Sequence, residues 1–184
     1  MGVVPGSTSG VAIIGVHERT IYRDYPGKII HNEAFDITGN LTSQVFEIMT
    51  VLSEFWPCAL VVESFNSKKP IANQGCLDPV RVGARIEMCV ESHYTLAPLF
   101  WQTPVIALDT APDNNLKLWG IYEPEPDHIR NATRHAITFI RRAKEASRHG
   151  DWDLIDKAWG PPENYRPDGP TRRRGIKRSR RALY

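Results

Sequence analysis

Several things are scarce or missing in this chain of 184 residues. It has no run of about 18 apolar residues, so no membrane-spanning helix is expected. Its first residues lack the basic segment and apolar core of a secretory leader. Cysteine is sparse, with Cys58, Cys76 and Cys89 making up the total of 3. That number cannot pair off within one chain, and none of the three sits in a Cys-x-x-Cys pair or beside a metal-type histidine. A disulfide framework is thereby excluded, and ordinary thiols in a reduced, cytoplasmic protein are expected. No segment of 20–50 residues repeats, which excludes a solenoid or propeller. Acid is absent from residues 171–184.

What the chain does have is enough apolar matter for a core. Hydrophobic residues make up 41%, which excludes global disorder. The length suits one compact domain over residues 1–150 and a short extension over 151–184. The formal net charge of +2 conceals an asymmetry. Arg172, Arg173, Arg174, Lys177, Arg178, Arg180 and Arg181 are seven of the 23 basic residues, and none of the 21 acidic ones lies among them. The other 170 residues therefore hold 16 basic and 21 acidic side chains, a net of −5. An acidic body with a basic tail points to a polyanionic partner reached by the tail, nucleic acid foremost.

Hydrophobic periodicity divides the body into elements. Val3-Val4 ends a short apolar strand, and Pro5–Gly10 is a tight turn whose glycines suit positive φ. Val11–Val16 reads as a second strand. Thr20–Tyr25 and Lys28–Phe35 are weaker ones, broken at Pro26-Gly27, which makes an antiparallel meander. Asn40-Leu41 is expected to open a helix running to about Phe55, on the spacing of Leu41, Val45, Ile48, Met49, Leu52 and Phe55. Ala59-Leu60-Val61-Val62 is a short, fully apolar strand, buried on both faces and ending in Glu63. Asp78-Pro79 caps a second helix running to about His93. Thr103–Leu108 is a further strand candidate, and Pro112–Gly120 a short helix closed by its glycine. Asp127 is expected to cap the clearest helix, which ends near His149 with an apolar stripe of Ile129, Ala132, Ala136, Phe139, Ile140 and Ala143. Asp151–Trp159 reads as one more short helix. Beyond Gly160, proline, glycine and arginine dominate, and order is not expected. The sum is an α/β domain, a mixed sheet of antiparallel meander plus parallel strands flanked by helices. That is the ribonuclease H-like arrangement.

Three segments in this order resemble RuvC-type Holliday-junction resolvases, especially their compact phage versions. Val3-Val4-Pro5-Gly6-Ser7-Thr8-Ser9-Gly10 is similar to the family's opening strand and its Asp-Pro-Gly-x-Thr-x-Gly turn. Leu60-Val61-Val62-Glu63 is similar to the strand that ends in a catalytic glutamate. The segment from Asp127 to Ala136 is similar to the final helix, written His-x-x-Asp-Ala in many members. The resemblance covers roughly residues 2–148. It implies a Mg²⁺- or Mn²⁺-dependent structure-selective endonuclease that acts on branched DNA as a homodimer, in the cytoplasm of a bacterial host if phage-encoded. Two ions about 4 Å apart would stabilise the attacking and leaving oxygens, held by carboxylates from separate elements.

Carried over residue by residue, the resemblance puts Val4, Glu63, His128 and Asn131 at the catalytic positions. Glu63 and His128 are the metal ligands that remain. His128 and Asn131, three apart on a helix, share a face. His135 extends that face and is read as a packing or surface residue. Val4 replaces an aspartate and has no donor, while Asn131 offers an oxygen without charge. Engineering, natural loss, or rescue by Asp109, Asp113 or Asp127 would each account for these departures, and loss of charge is favoured. Lys68 and Lys69, in the polar loop after Glu63, are candidate phosphate contacts alongside the tail. A non-catalytic branched-DNA binder on the same scaffold is the alternative function. A sugar-kinase-like or actin-like ATPase, suggested by the Pro5–Gly10 hairpin, would need a second lobe. A purely structural packaging protein would leave the ordered match of three segments without a reason.

Overall fold

The computed structural model describes residues 1–16, 29–65, 77–92 and 97–149, together with Leu154. Five strands form one sheet: β1 (Gly2–Val4), β2 (Ser9–Val16), β3 (Ile29–Ile37), β4 (Leu60–Glu63) and β5 (Leu99–Gln102), in the order β3-β2-β1-β4-β5. β1, β2 and β3 pair antiparallel as the expected meander, while β4 runs parallel to both β1 and β5. The expected strand at Thr20–Tyr25 and, Leu154 apart, the helix at Asp151–Trp159 lie outside the described residues, as do Lys68, Lys69 and the basic tail.

The sheet is covered on both faces, and the alternation of its side chains says by what. Val3, Val11, Ile13, Ile37, Leu60 and Val62 point to one face. There they pack with α1 (Leu41–Phe55), through Val45, Ile48 and Leu52, and with α2 (Asp78–Ser92), through Val82 and Ile86. The opposite face carries Val61, Ala12 and Ile14, covered by α5 (Asp127–His149) through Phe139, Ala132 and Ile137. Small residues let α5 lie directly on β1 and β2. A Cβ at Gly2 would come within 2.1 Å of the Ala132 carbonyl oxygen, and one at Gly10 within 2.3 Å of the His128 carbonyl oxygen. Gly10 is thus required by helix approach rather than by positive φ, which occurs among the described glycines at Gly39 and Gly120.

Two helix ends follow from sequence chemistry. The Asn40 side-chain oxygen accepts from the backbone N–H groups of Thr42 and Ser43, both at 3.0 Å, and starts α1. Asn40→Ala is expected to remove about 1 kcal/mol of stability. A urea titration would show this as a lower midpoint at unchanged slope. α4 (Asp113–Leu118) closes as expected at Gly120, whose φ is +70°. Gly120 N–H donates to the Lys117 carbonyl at 3.1 Å and Ile121 N–H to that of Leu116 at 3.0 Å, a Schellman closure.

Two expectations need correction. The strand expected at Thr103–Leu108 is instead a helix, α3 (Pro104–Thr110), and the strand β5 lies just before it. Pro104 has no N–H for a ladder and a φ suited to the first helical turn. Val105, Ile106 and Leu108 are exposed rather than buried between layers. Asp78 and Asp127, expected as caps, are the first residues of α2 and α5. The Asp127 carboxylate accepts from Arg130 on its own helix.

Candidate functional site

Register and alternation place the strand ends in one row. Val4 pairs with Gly10, and Gly10 with Asp36. Val3 pairs with Val62, which sets Val4 beside Glu63, and Glu63 pairs with Gln102. Asp36, Gly10, Val4, Glu63 and Gln102 therefore cross all five strands in line on the face that α5 covers. α5 lays His128, Ala132 and His135 along this row, at the spacing of one helix face.

Each part of the row has its own partner. At one side, His128 Nε2 lies 2.6 Å from Asp36 Oδ1, close as an ion pair but without the alignment of a hydrogen bond. In the middle, Val4 is 8% exposed and packs with Ala12, Ala34 and Ala132. At the other side, His135 is fully buried between two polar partners. Its Nε2 is 2.8 Å from Glu63 Oε2 and its Nδ1 is 2.7 Å from Gln102 Oε1. The Glu63 side chain keeps 21% exposure, so the pair opens to solvent on the carboxylate side. Asn131 lies beside the row, where its oxygen accepts from Arg134 Nη1. Arg134 is itself held by Asp113 and by the Ala111 carbonyl.

The turn below the row is fastened to α1. Ser9 Oγ donates to Gln44 Oε1 at 2.6 Å, and Gln44 Nε2 donates to the carbonyl oxygens of Ser7 at 2.8 Å and Gly39 at 2.9 Å. Ser9 and Gln44 are both buried, so the amide satisfies three groups that would otherwise be left unpaired inside the protein. The backbone of Pro5–Gly10 is thereby fixed next to Val4.

The four positions carried over from the sequence thus have different surroundings. Glu63 faces His135, His128 faces Asp36, Asn131 faces Arg134, and Val4 sits among alanines. His135, Gln102 and Asp36 are the polar members that sequence reasoning did not select. A signal for His135 existed, because it lies seven residues after His128 on the same helix face. Gln102 and Asp36 are visible only through strand register.

These donors do not fit a pair of divalent ions. Among the described residues, no three His, Cys, Asp or Glu side chains gather around a common point. Asp36 and Glu63 share the row, but three strand spacings separate them, roughly 14 Å, against about 4 Å between paired ions. None of the nearby acids makes up the loss. Asp113 is engaged by Arg134 and Asp127 by Arg130, while Asp109 is exposed on α3. Glu63 is the one acidic side chain at the centre of the row among the described residues, and His135 Nε2 occupies one of its oxygens at 2.8 Å.

No protein-family model matches the chain, and no curated protein does. Solved structures do. RuvC of T. thermophilus in complex with a Holliday-junction substrate superimposes with a TM-score of 0.54 at 18% sequence identity, covering 82% of this chain and 94% of that one. Thermus thermophilus RuvC in a second structure gives a TM-score of 0.56, again at 18% identity, over 82% of this chain and 95% of that one. The fold is RuvC-like. Its mixed five-stranded sheet, flanked by helices, is the ribonuclease H-like architecture expected from the sequence. The superposition reaches nearly the full length of both Thermus chains. Among the described residues, no helix is long and apolar enough to cross a membrane.

Proposed function

We propose that this chain is a RuvC-like protein of branched DNA, of the phage type, which engages Holliday junctions and, with the residues it now carries, holds them without two-ion cleavage. The observation that carries this reading is the row at the strand ends. It stands on a RuvC-like scaffold, on the face covered by the final helix, with an alanine-packed Val4 at its centre and Glu63 engaged by His135 beside it. Val4 and Asn131 are then acidic positions that have lost their charge. The proposal takes the RuvC-like domain as residues 1–150 and the junction's phosphates as the partner of the tail arginines and lysines, with Lys68 and Lys69 as further contacts. It includes a homodimer, which would present one such row to each of two strands.

A second reading is retained on one observation. Glu63 remains partly exposed at the end of an apolar strand, a costly place for a carboxylate without a task. On this reading the chain is a Mg²⁺- or Mn²⁺-dependent junction endonuclease whose remaining ligands are Glu63 and His128.

A labelled four-way junction and a linear duplex of equal length, each with Mg²⁺ and with chelator, separate the readings. Preferential junction binding in both media without cutting is expected. Cutting by the chain as it stands would establish the endonuclease reading. Equal affinity for junction and duplex would reject both and leave a likeness of fold alone.

A further inference from the structure

Arg134 decides how Asn131 can be used. Its guanidinium is buried, and each of its three nitrogens is taken. Nε donates to the Ala111 carbonyl at 3.2 Å, Nη2 to Asp113 and Nη1 to Asn131 Oδ1. Arginine only donates, so the atom that meets Nη1 must be the amide oxygen, and this fixes which way round the Asn131 amide lies. The oxygen that a metal ion would need is therefore turned to Arg134. The Nδ2 amino group is left over. It has no partner among the described residues, and on the half-buried Asn131 it is not sealed from solvent. An amide whose oxygen accepts from a cation is polarised, which strengthens its N–H groups as donors. Asp113, at the start of α4, balances the Arg134 charge. The Asp113–Arg134 pair thus orients and polarises the amide without reaching outward itself.

We propose that Asn131 is a phosphate-binding residue, whose Nδ2 amino group donates to a backbone phosphate oxygen of DNA laid along the strand-end row. This rests on the branched-DNA reading above. Asn131 lies one helical turn from His128, whose side chain is 29% exposed, and Glu63 keeps 21%, so the row is open to a strand on this side. The side chain at this position reverses its chemistry. An aspartate here would be an acceptor, and would need a cation between itself and a phosphate. Asparagine, with its oxygen already engaged, meets the phosphate directly as a donor. The donor set that does not fit two divalent ions thus suits an anion at this point. Asn131 is the binding residue, and Arg134 is a positioning residue that acts through it.

Two variants of the full chain separate this role from a structural one. Asn131→Asp keeps an acceptor for Arg134 and loses the donor, whereas Asn131→Ala loses both. Junction affinity is read by fluorescence anisotropy in chelator. One junction has natural phosphates; in the others a single phosphate, taken in turn from the crossover outwards, is replaced by a neutral methylphosphonate. Both variants should bind the natural junction about tenfold or more weakly, the size of a hydrogen bond to a charged group. At one phosphate the methylphosphonate should weaken the unaltered chain about tenfold and Asn131→Ala by no more than about twofold, because the shared contact is already gone. Asn131→Asp should not be weakened there at all, since the neutral linkage also removes its repulsion.

Natural-junction binding by Asn131→Asp as tight as that of the unaltered chain would mean that the side chain serves Arg134 alone, and would overturn the proposal. So would losses that simply add at every phosphate tested, since no contact would then be shared. If Asn131→Ala fails to fold, the comparison of the unaltered chain with Asn131→Asp decides by itself, because that variant leaves the Arg134 contact in place. Equal affinity of the unaltered chain for junction and duplex would defeat the branched-DNA reading instead. The Asn131 contact would still be read on a duplex carrying the same single methylphosphonates.

Discussion

On the branched-DNA reading, Val4→Asp combined with Asn131→Asp is expected to yield a Mg²⁺-dependent junction nuclease. The argument starts from register. Val4 ends β1 next to Glu63 on β4, so an aspartate there would sit one strand spacing from the glutamate, about 4.8 Å. Two adjacent carboxylates on one face make a hard, oxygen-rich donor set, which suits Mg²⁺. The second substitution adds charge one helical turn from His128 and within reach of Arg134, which already donates to Asn131. Several kcal/mol of transition-state stabilisation is typical of metal assistance. At about 1.4 kcal/mol per tenfold, that predicts a cleavage rate at least about a thousandfold above the unaltered chain.

The same substitution should be costly without the ion. Val4 is buried among Ala12, Ala34 and Ala132, and a carboxylate placed there loses its water. A loss of about 2–3 kcal/mol in chelator is expected, with recovery as Mg²⁺ binds the folded state alone. Thermal unfolding in the two media and denaturing-gel assays of junction cleavage check the two halves together. A variant that regains stability with Mg²⁺ and yet leaves the junction intact would show that more than two charges separate this site from a working one.

The fold was legible in the sequence because its signals are local. The stripe on α5, the apolar run at β4 with Glu63 at its end, and Asn40 before α1 each follow from periodicity or capping within a few residues. Thr103–Leu108 was misread because an apolar run of six is compatible with either a strand or a helix. Pro104 decided it, by lacking an N–H at the point where a ladder would need one. The site was legible only in part. Position in a motif singled out Glu63, but its actual partner, His135, is 72 residues away and is chosen by strand order and the crossing of α5. Gln102 and Asp36 carry no motif at all. They join the row through the pairings Glu63–Gln102 and Gly10–Asp36, which no spacing along the chain reveals.

Removal of residues 171–184 is expected to weaken DNA binding by two orders of magnitude or more while sparing the preference for junctions. The deleted stretch holds seven positive charges, and the rest of the chain has a net of −5 once those are subtracted from 23 basic against 21 acidic residues. Each basic side chain that meets a phosphate releases counterions and contributes roughly 0.9 to the slope of log K against log salt. Loss of all seven contacts would flatten that slope by about 6, and loss of four by about 3.6. Phosphate contacts position a protein without reading the shape of its target. The ratio of junction to duplex affinity should therefore change little, since the proposed function assigns it to the RuvC-like body. Titrations of both DNAs with the full and shortened chains at four or more salt concentrations give the two quantities separately. An unchanged slope would deny the tail its phosphate contacts. A collapsed ratio would place junction recognition in the tail rather than at the strand-end row.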